Sequence, residues 1–292
     1  MRRTEKGNNH AMSINPFIWL QHAVPQHLLS RGAGTLASSE LPWLKDLLIR
    51  RFIEFYKVPM DEAQRPASHY RSFNDFFTRA LKPGVRPLGD AAEHIVCPAD
   101  GAVSQLGEIR GGRIVQAKGQ DFSAAELLGG DKDLAGQFEG GSFITIYLSP
   151  SDYHRVHMPV AGALERSIYI PGDLFSVNTA TAEGVDRLFS RNERMAAIFG
   201  TGSGRVASIM VGAMIVASVE TVWSGLIQPH GKKIIHSAFA EGEHQFAAGD
   251  EMGRFLLGST VILLFEAGKI AWRDDLGPLD TVRMGEAIAR KL

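Results

Sequence analysis

"RFLLGSTVILLFEAG", residues 254–268, is where the fold is decided. Taken with the period of two that a strand imposes, Phe255, Leu257, Ser259, Val261 and Leu263 share one face, and Leu256, Gly258, Thr260 and Ile262 share the other. Both faces are apolar, which describes a strand covered on both sides. One feature interrupts it, the pair Gly258-Ser259, and the chain ends 34 residues after Gly258. Glycine inside a strand weakens it but permits a bend or a close backbone approach. A bulge with Ser259 bonded to a neighbouring carbonyl is the plain explanation. A peptide bond placed there to react is the other.

The surrounding sequence repeats this character. "GRIVQAKG" (112–119), "SFITIYLS" (142–149), "GALERSIYI" (162–170), "RVASIMVGAMIVASVE" (205–220), "KKIIHSAFA" (232–240) and "KIAWR" (269–273) are short β-branched or aromatic runs separated by Gly, Pro and Asp. The stretch "SRNERMAAIFG" (190–200) fits a helical turn or a strand. Helical spacing appears only nearer the N-terminus, in "INPFIWLQHAVPQHLLS" (14–30), in "LPWLKDLLIRRFIEFYKV" (41–58) and in "SFNDFFTRAL" (72–81), where Ser72 is placed to cap. The expectation is an α+β fold: a mainly antiparallel β body from about residue 94, with helices at its N-terminal end.

Composition excludes several classes. The chain has 292 residues, 45% hydrophobic and 22% charged, with a net charge of -1, so nothing draws it to nucleic acid. Cys97 is the single cysteine, so no intrachain disulfide can form, which fits a reducing compartment. The longest apolar run, residues 206–219, has 14 residues, short of the ~18 that a spanning helix needs, and reads as one core strand. "MRRTEKGNNHAM" is polar and lacks the apolar core of a signal peptide, so it reads as an extension, with Met12 as an alternative start. There is no GxGxxG, GxxxxGK[ST] or CxxC pattern to hold a nucleotide or a thiolate-bound metal.

Three short stretches carry candidate chemistry. In "VCPADGAVSQLG" (96–107), Asp100 precedes Gly101 in what reads as a tight turn, where an Asp ordinarily bonds its own backbone. In "YLSPSDYHRVHMPV" (147–160), His154 and His157 stand three apart, so a single helical turn would put both imidazoles on one side. They read as structural histidines, as a metal pair lacking an obvious third ligand, or as a base. The third stretch is the Gly258-Ser259 pair. Together they allow one scheme: an Asp orients a His, the His takes the Ser hydroxyl proton, and the Ser attacks the carbonyl of the residue before it.

With these stretches in view, the residues resemble a known family. "LGST", "YHRVHMPV", "PADGAVSQLG", "QAKGQDFSAAELLGGD" and "PGDLFSVN", each in its family place along the chain, look like the bacterial, membrane-associated, pyruvoyl-dependent phosphatidylserine decarboxylase proenzymes. The resemblance runs from Met12 onward. It implies self-cleavage between Gly258 and Ser259 into a β chain (1–258) and an α chain (259–292), which stay together as a pair with a higher oligomer left open. It implies that Asp100, His157 and Ser259 form the charge relay for that cut. Ser259 would become a covalent pyruvoyl group, the only cofactor, with no metal. That group would form a Schiff base with phosphatidylserine and release phosphatidylethanolamine. His154, and less directly Ser176 of "PGDLFSVN", become candidates for the decarboxylation step, and Arg155 or Lys118 for the substrate phosphate.

A lipid substrate also bears on the N-terminal helices. Trp19 and Trp43 stand near Lys45, Arg50, Arg51 and Lys57, which suits an interfacial helix on an anionic lipid surface as well as it suits a packed hairpin. With this resemblance, residues 1–65 are expected to be a membrane-associating segment and 66–292 the catalytic domain. The protein would lie peripherally on the cytoplasmic side of the cell membrane. Two rival readings stand beside this one. One is a metal-dependent hydrolase using Asp100, His154 and His157; the other is a non-enzymatic binding barrel in which Gly258-Ser259 is an uncut bulge.

Overall fold

A computed structural model describes residues 21, 26–117, 119–213, 219–227, 231–256 and 259–292. Gly258, Lys118 and most of the first 25 residues therefore lie outside the described residues, as does the side chain of Ser259. The deciding strand, β15 (Ser259–Phe265), sits inside a nine-stranded antiparallel sheet. Its neighbours are β9 (Gly204–Gly212) and β5 (Ser142–Leu148). Both ladders run its full length, from Ser259↔Leu148 to Phe265↔Ser142 and from Ser259↔Gly212 to Phe265↔Val206.

The two-sided burial expected of β15 is observed. Val261, Leu263 and Phe265 enter one core cluster, and Ile262 and Leu264 enter the other. The rest of the sheet follows from β2 (Gly101–Glu108) beyond β5, and from β8 (Arg194–Thr201) and β7 (Gly162–Ile170) beyond β9. The first cluster lies between this sheet and a four-stranded one. That smaller sheet is built from β6 (Arg155–His157), β10 (Val219–Thr221), β11 (Gly225–Ile227) and β14 (Glu251–Phe255). The second cluster is closed by short helices, among them Ala124–Leu127 and Leu188–Arg191. The α+β class is thus as expected, mainly antiparallel with helices at the N-terminal end.

Two expectations change in detail. "SRNERMAAIFG" is both things in turn: a helical turn ends at Arg191, and β8 begins at Arg194. The long run 206–219 is not one strand, because β9 stops at Gly212 and Val219 opens β10 in the other sheet. Its apolar length reflects a chain passing from one layer to the next, both facing the same core.

At the N-terminal end, α1 (Gln26–Ala37) and α2 (Pro42–Tyr56) precede a short α3 (Phe73–Phe77). Ser72 caps α3, its hydroxyl accepting from the Asp75 amide at 3.2 Å. Ile49, Val58, Tyr70, Phe73, Phe76 and Phe77 form a third cluster, which reaches past residue 65 into the start of the β body. Phe52 sits among these rings, edge-on to Phe73 and Phe77.

Thr145 offers a test of the central sheet. It is buried in β5, and its hydroxyl has no hydrogen-bond partner among the described residues. A buried hydroxyl without a partner costs ~1–3 kcal/mol, and valine has nearly the same shape. Thr145→Val should raise stability by about 1 kcal/mol, read as an increased urea midpoint at unchanged slope.

Candidate active site

The segment leading into Ser259 is held by β6. β14 pairs with β6 in antiparallel register, Arg254↔Arg155 and Glu251↔His157. Just beyond, the Phe255 amide donates to the His154 carbonyl at 3.0 Å. Both histidines are therefore fixed against the last described residues before the Gly258-Ser259 pair.

They do not share a helical turn. Residues 155–157 form a strand, so positions three apart project to opposite sides. His154 turns toward α3, its ring centroid 4.0 Å from that of Phe77. His157 turns the other way, against Tyr153 and Gly249. The helical-turn expectation fails because the residues between the histidines pair with β14.

Each ring is held in a defined protonation form. His157 Nδ1 lies 2.8 Å from the Gly249 carbonyl, which can only accept, so Nδ1 carries the proton. Nε2 is then the acceptor for the Tyr153 hydroxyl at 3.0 Å. Burial holds the His157 pKa below the ordinary histidine value, although the Gly249 carbonyl and the charges of Glu251 and Asp100 work against this. His154 is fully buried, and burial pushes its pKa down to about 3. Its Nδ1 donates to the Asp152 carbonyl at 2.9 Å, which leaves Nε2 as a bare acceptor without a partner among the described residues.

Asp100 does not bond its own backbone as a turn Asp would. Arg86 clasps it through Nε at 2.9 and 3.0 Å and through Nη2 at 2.5 Å, and the Met284 amide donates to it at 2.8 Å. Arg86 also bonds Glu62 at 2.7 Å and holds the Glu62 carboxyl below its usual range. Gly101 follows because a Cβ there would collide with the Tyr147 carbonyl. His157 lies close by, its amide donating to the Pro98 carbonyl at 2.8 Å. The imidazole itself is oriented by Gly249 and Tyr153, and Asp100 acts on it through charge. Asp100, Arg86, Arg79, Asp152 and Tyr153 line a cavity of about 270 Å³ between the helical end and the sheet.

Ser176 lies in a loop that Asn192 ties to β9. Asn192 donates to the carbonyls of Phe175 at 2.8 Å and Gly212 at 2.9 Å, and Gly212 is the register partner of Ser259. Ser176 is thereby one strand removed from Ser259, with its amide bonded to Gln21 Oε1 at 2.8 Å. Arg155 is committed elsewhere, to the Thr78 carbonyl at 2.9 Å and to Glu251 at 2.7 Å. Motif and spacing point to none of Arg86, Asn192 and Gly249, and they give no role to Tyr153, although it opens "YHRVHMPV". Arg86, in "GVRPLGD", carries no motif, and Gly249 acts through its carbonyl, which residue identity does not encode.

Among the described residues, no three His, Cys, Asp or Glu side chains come together as a metal site. Of the donor atoms that a metal hydrolase would use, both nitrogens of His157 and both oxygens of Asp100 already have partners, which leaves His154 Nε2 by itself.

Known proteins share this sequence over nearly its whole length. Residues 73–290 match the family model described as phosphatidylserine decarboxylase, and residues 16–57 match one described as PSD. A phosphatidylserine decarboxylase proenzyme of Saccharophagus degradans is 56% identical over 280 residues, 95% of this chain and 98% of that protein. One from Bordetella avium is 54% identical over 283 residues, covering 95% and 96%, and one from Azotobacter vinelandii 53% over 279, covering 94% and 97%.

The buried neutral imidazole of His154 sets a pH dependence. Its folded pKa lies below the unfolded value of ~6.5, so the unfolded chain takes up the proton first. Stability must therefore fall as pH drops from about 6.5 toward about 3. Urea midpoints at pH 7.5 and 5 should show the unaltered chain losing more than His154→Gln, which lacks this group. Equal losses would show that the ring is protonated in the fold.

Proposed function

Because the chain belongs to the phosphatidylserine decarboxylase family, we propose that it decarboxylates phosphatidylserine to phosphatidylethanolamine after cutting itself at Gly258–Ser259. The observation that carries this is the position of Ser259 as the first residue of β15. A cut before it leaves every pair of both ladders, from Ser259 to Phe265, untouched. The new terminus would stay where the sheet holds it, and the α chain would remain bound to the β chain. A pyruvoyl group made from Ser259 fits this place, since it needs a fixed chain end and no ligand set. When formed, that group would supply the electron sink for loss of CO2.

The chain's own residues move the protons. His157 is neutral in its buried setting and presents Nε2 as acceptor, the form a base needs. It takes the Ser259 hydroxyl proton as that oxygen attacks the Gly258 carbonyl carbon; the C–N bond to Ser259 then breaks, the proton passes to the departing amine, and an ester remains. The Tyr153 hydroxyl already occupies Nε2, so it must relay that proton or give way to it. Asp100, fixed by Arg86, stabilises the imidazolium by its charge. His154, with an unengaged acceptor nitrogen beside the segment that leads to Ser259, is the candidate to bind or protonate the reacting head group. Ser176 is a second candidate.

Docking to the membrane is part of the same reading. No helix among the described residues is long and apolar enough to cross a bilayer. On α2, Trp43, Leu47 and Phe55 lie exposed along one stripe together with Arg51, and Phe55 is 77% exposed. Apolar rings with cations on one exposed stripe suit the head-group region of an anionic bilayer on the cytoplasmic side.

Purified unaltered protein should run as two chains, and Ser259→Ala as one. A single full-length mass in the unaltered protein after prolonged incubation would sink the reading. His154→Ala should still cut itself, while turnover falls at least ~10²-fold. For docking, the double change Trp43→Ala and Phe55→Ala should weaken co-sedimentation with vesicles containing phosphatidylglycerol, with cutting unaffected. Unchanged sedimentation would make the stripe an ordinary exposed surface.

A further inference from the structure

One buried carboxyl near Ser259 has no part in the proton transfers assigned to the histidines. Glu193 is 7% exposed, and its carbonyl accepts from the Gly212 amide at 2.8 Å. This continues the β8–β9 ladder, in which Arg194 faces Val211, by one residue. Gly212 in turn faces Ser259 across the β9–β15 ladder. Glu193, Gly212 and Ser259 therefore form one row across three adjacent strands, ~10 Å from end to end. The middle member of the row has no side chain.

The face is also defined. Met195, two residues on from Glu193, belongs to the cluster between the two sheets, as does Tyr169 of β7. Arg194 turns to the other face, donating to the carbonyls of Leu127 at 2.8 Å and Glu126 at 2.6 Å. Between the sheets a small cavity opens, lined by Glu193, Tyr169, Met195, Gly212, Val219 and Ile227. The Tyr169 hydroxyl is buried there next to the Glu193 carboxyl, on which it acts.

We propose that Glu193 takes the proton from the ammonium of the substrate head group, so that the free amine can attack at residue 259. This rests on the proposed conversion of Ser259 to a pyruvoyl group. An amine of this kind is largely ammonium at neutral pH, and ammonium has no lone pair to offer a carbonyl carbon. In the step, an N–H bond breaks, an O–H bond forms on the Glu193 carboxylate, and the electron pair stays on nitrogen. Gly212 matters because any larger residue would fill the space over which the two groups meet. Both histidines already have other transfers in the proposed scheme, His157 with the Ser259 hydroxyl and His154 with the reacting head group, and both stand on the β6 segment rather than in this row. Burial raises the Glu193 carboxyl to about 7, with the neighbouring Tyr169 partly opposing it, so the group both accepts and returns a proton near neutrality. Among the described residues, Tyr169 is the titratable neighbour acting on it; Arg194 also borders the cavity, but its guanidinium donates to the Leu127 and Glu126 carbonyls on the other face.

The test uses the full-length protein and a short-chain, soluble phosphatidylserine. Chain masses first establish whether each protein has cut itself and whether residue 259 has lost its amine. Cyanoborohydride then traps the substrate amine on the α chain between pH 6 and 9.5, read by mass. Glu193→Gln should cut normally and trap at least 10-fold less at pH 7, recovering as pH rises and the amine frees itself. Tyr169→Phe removes a neighbour that lowers the Glu193 pKa, so its trapping profile should shift to higher pH. Trapping by Glu193→Gln equal to the unaltered protein at pH 7 overturns the assignment, as does a deficit that persists at pH 9.5. Failure of Glu193→Gln to cut would move the residue to chain processing and overturns it also. An unshifted Tyr169→Phe profile overturns it independently, should Glu193→Gln not fold. An unaltered protein that remains uncut overturns the reading of Ser259 and this assignment together.

Discussion

β15 has hydrogen-bonded neighbours on both sides for all of its seven residues, beginning at Ser259. That double ladder fixes one chain position in space independently of the chain that leads into it. Everything else that bears on chemistry is placed by reference to this strand. β9 brings Gly212 and, through Asn192, the Phe175–Ser176 loop. β14, arriving just before the Gly258-Ser259 pair, carries β6 with both histidines. A strand on a sheet edge would hold Ser259 by half as many bonds, and a loop by none of them, so a severed end would not keep its place.

Dryness has a second consequence beyond rigidity. Burial favours whichever form of a titratable group is uncharged, so it leaves both histidines neutral and the Glu193 carboxyl readily protonated. Backbone carbonyls then choose the tautomer: Asp152 for His154 and Gly249 for His157. Two imidazoles with acceptor nitrogens are thus obtained without a carboxylate touching either ring. The carboxylate that is present, Asp100, needs Arg86 and the Met284 amide to be tolerable where it lies. Its clasp by Arg86 also ties residues 62–86 to the sheet.

Much of this was legible in the sequence because it is written in periodicity and in short motifs. Alternating apolar residues on both faces of 254–268 placed β15 in the middle of a sheet, and Ser72 placed the start of α3. Asp100, His154, His157 and Ser176 stood out as residue types in motifs. What could not be read is what depends on partners distant in the chain. The His154–His157 spacing suits a helical turn or a strand equally, and only pairing with β14 decides it. The run 206–219 carries no charge to mark where it leaves one sheet for the other. Arg86 meets Asp100 across 14 residues, and Gly249 meets His157 across 92, through a carbonyl that every residue type possesses.

The arrangement separates two kinds of proton transfer that one site has to perform. In the proposed scheme, making a reactive end at residue 259 takes a base that is neutral beforehand and acts once, and the β6 segment, paired with β14 in the smaller sheet, carries neutral imidazole. In the same scheme, turning over a lipid amine takes a group that gives back what it accepts in every cycle, and beyond β9 Glu193 would supply a carboxyl poised near neutrality. A single residue cannot serve both ends well, since burial moves an imidazole away from neutrality and a carboxyl toward it. The same burial would therefore yield a base for one reaction and a reversible proton carrier for the other, drawn from two different sheets.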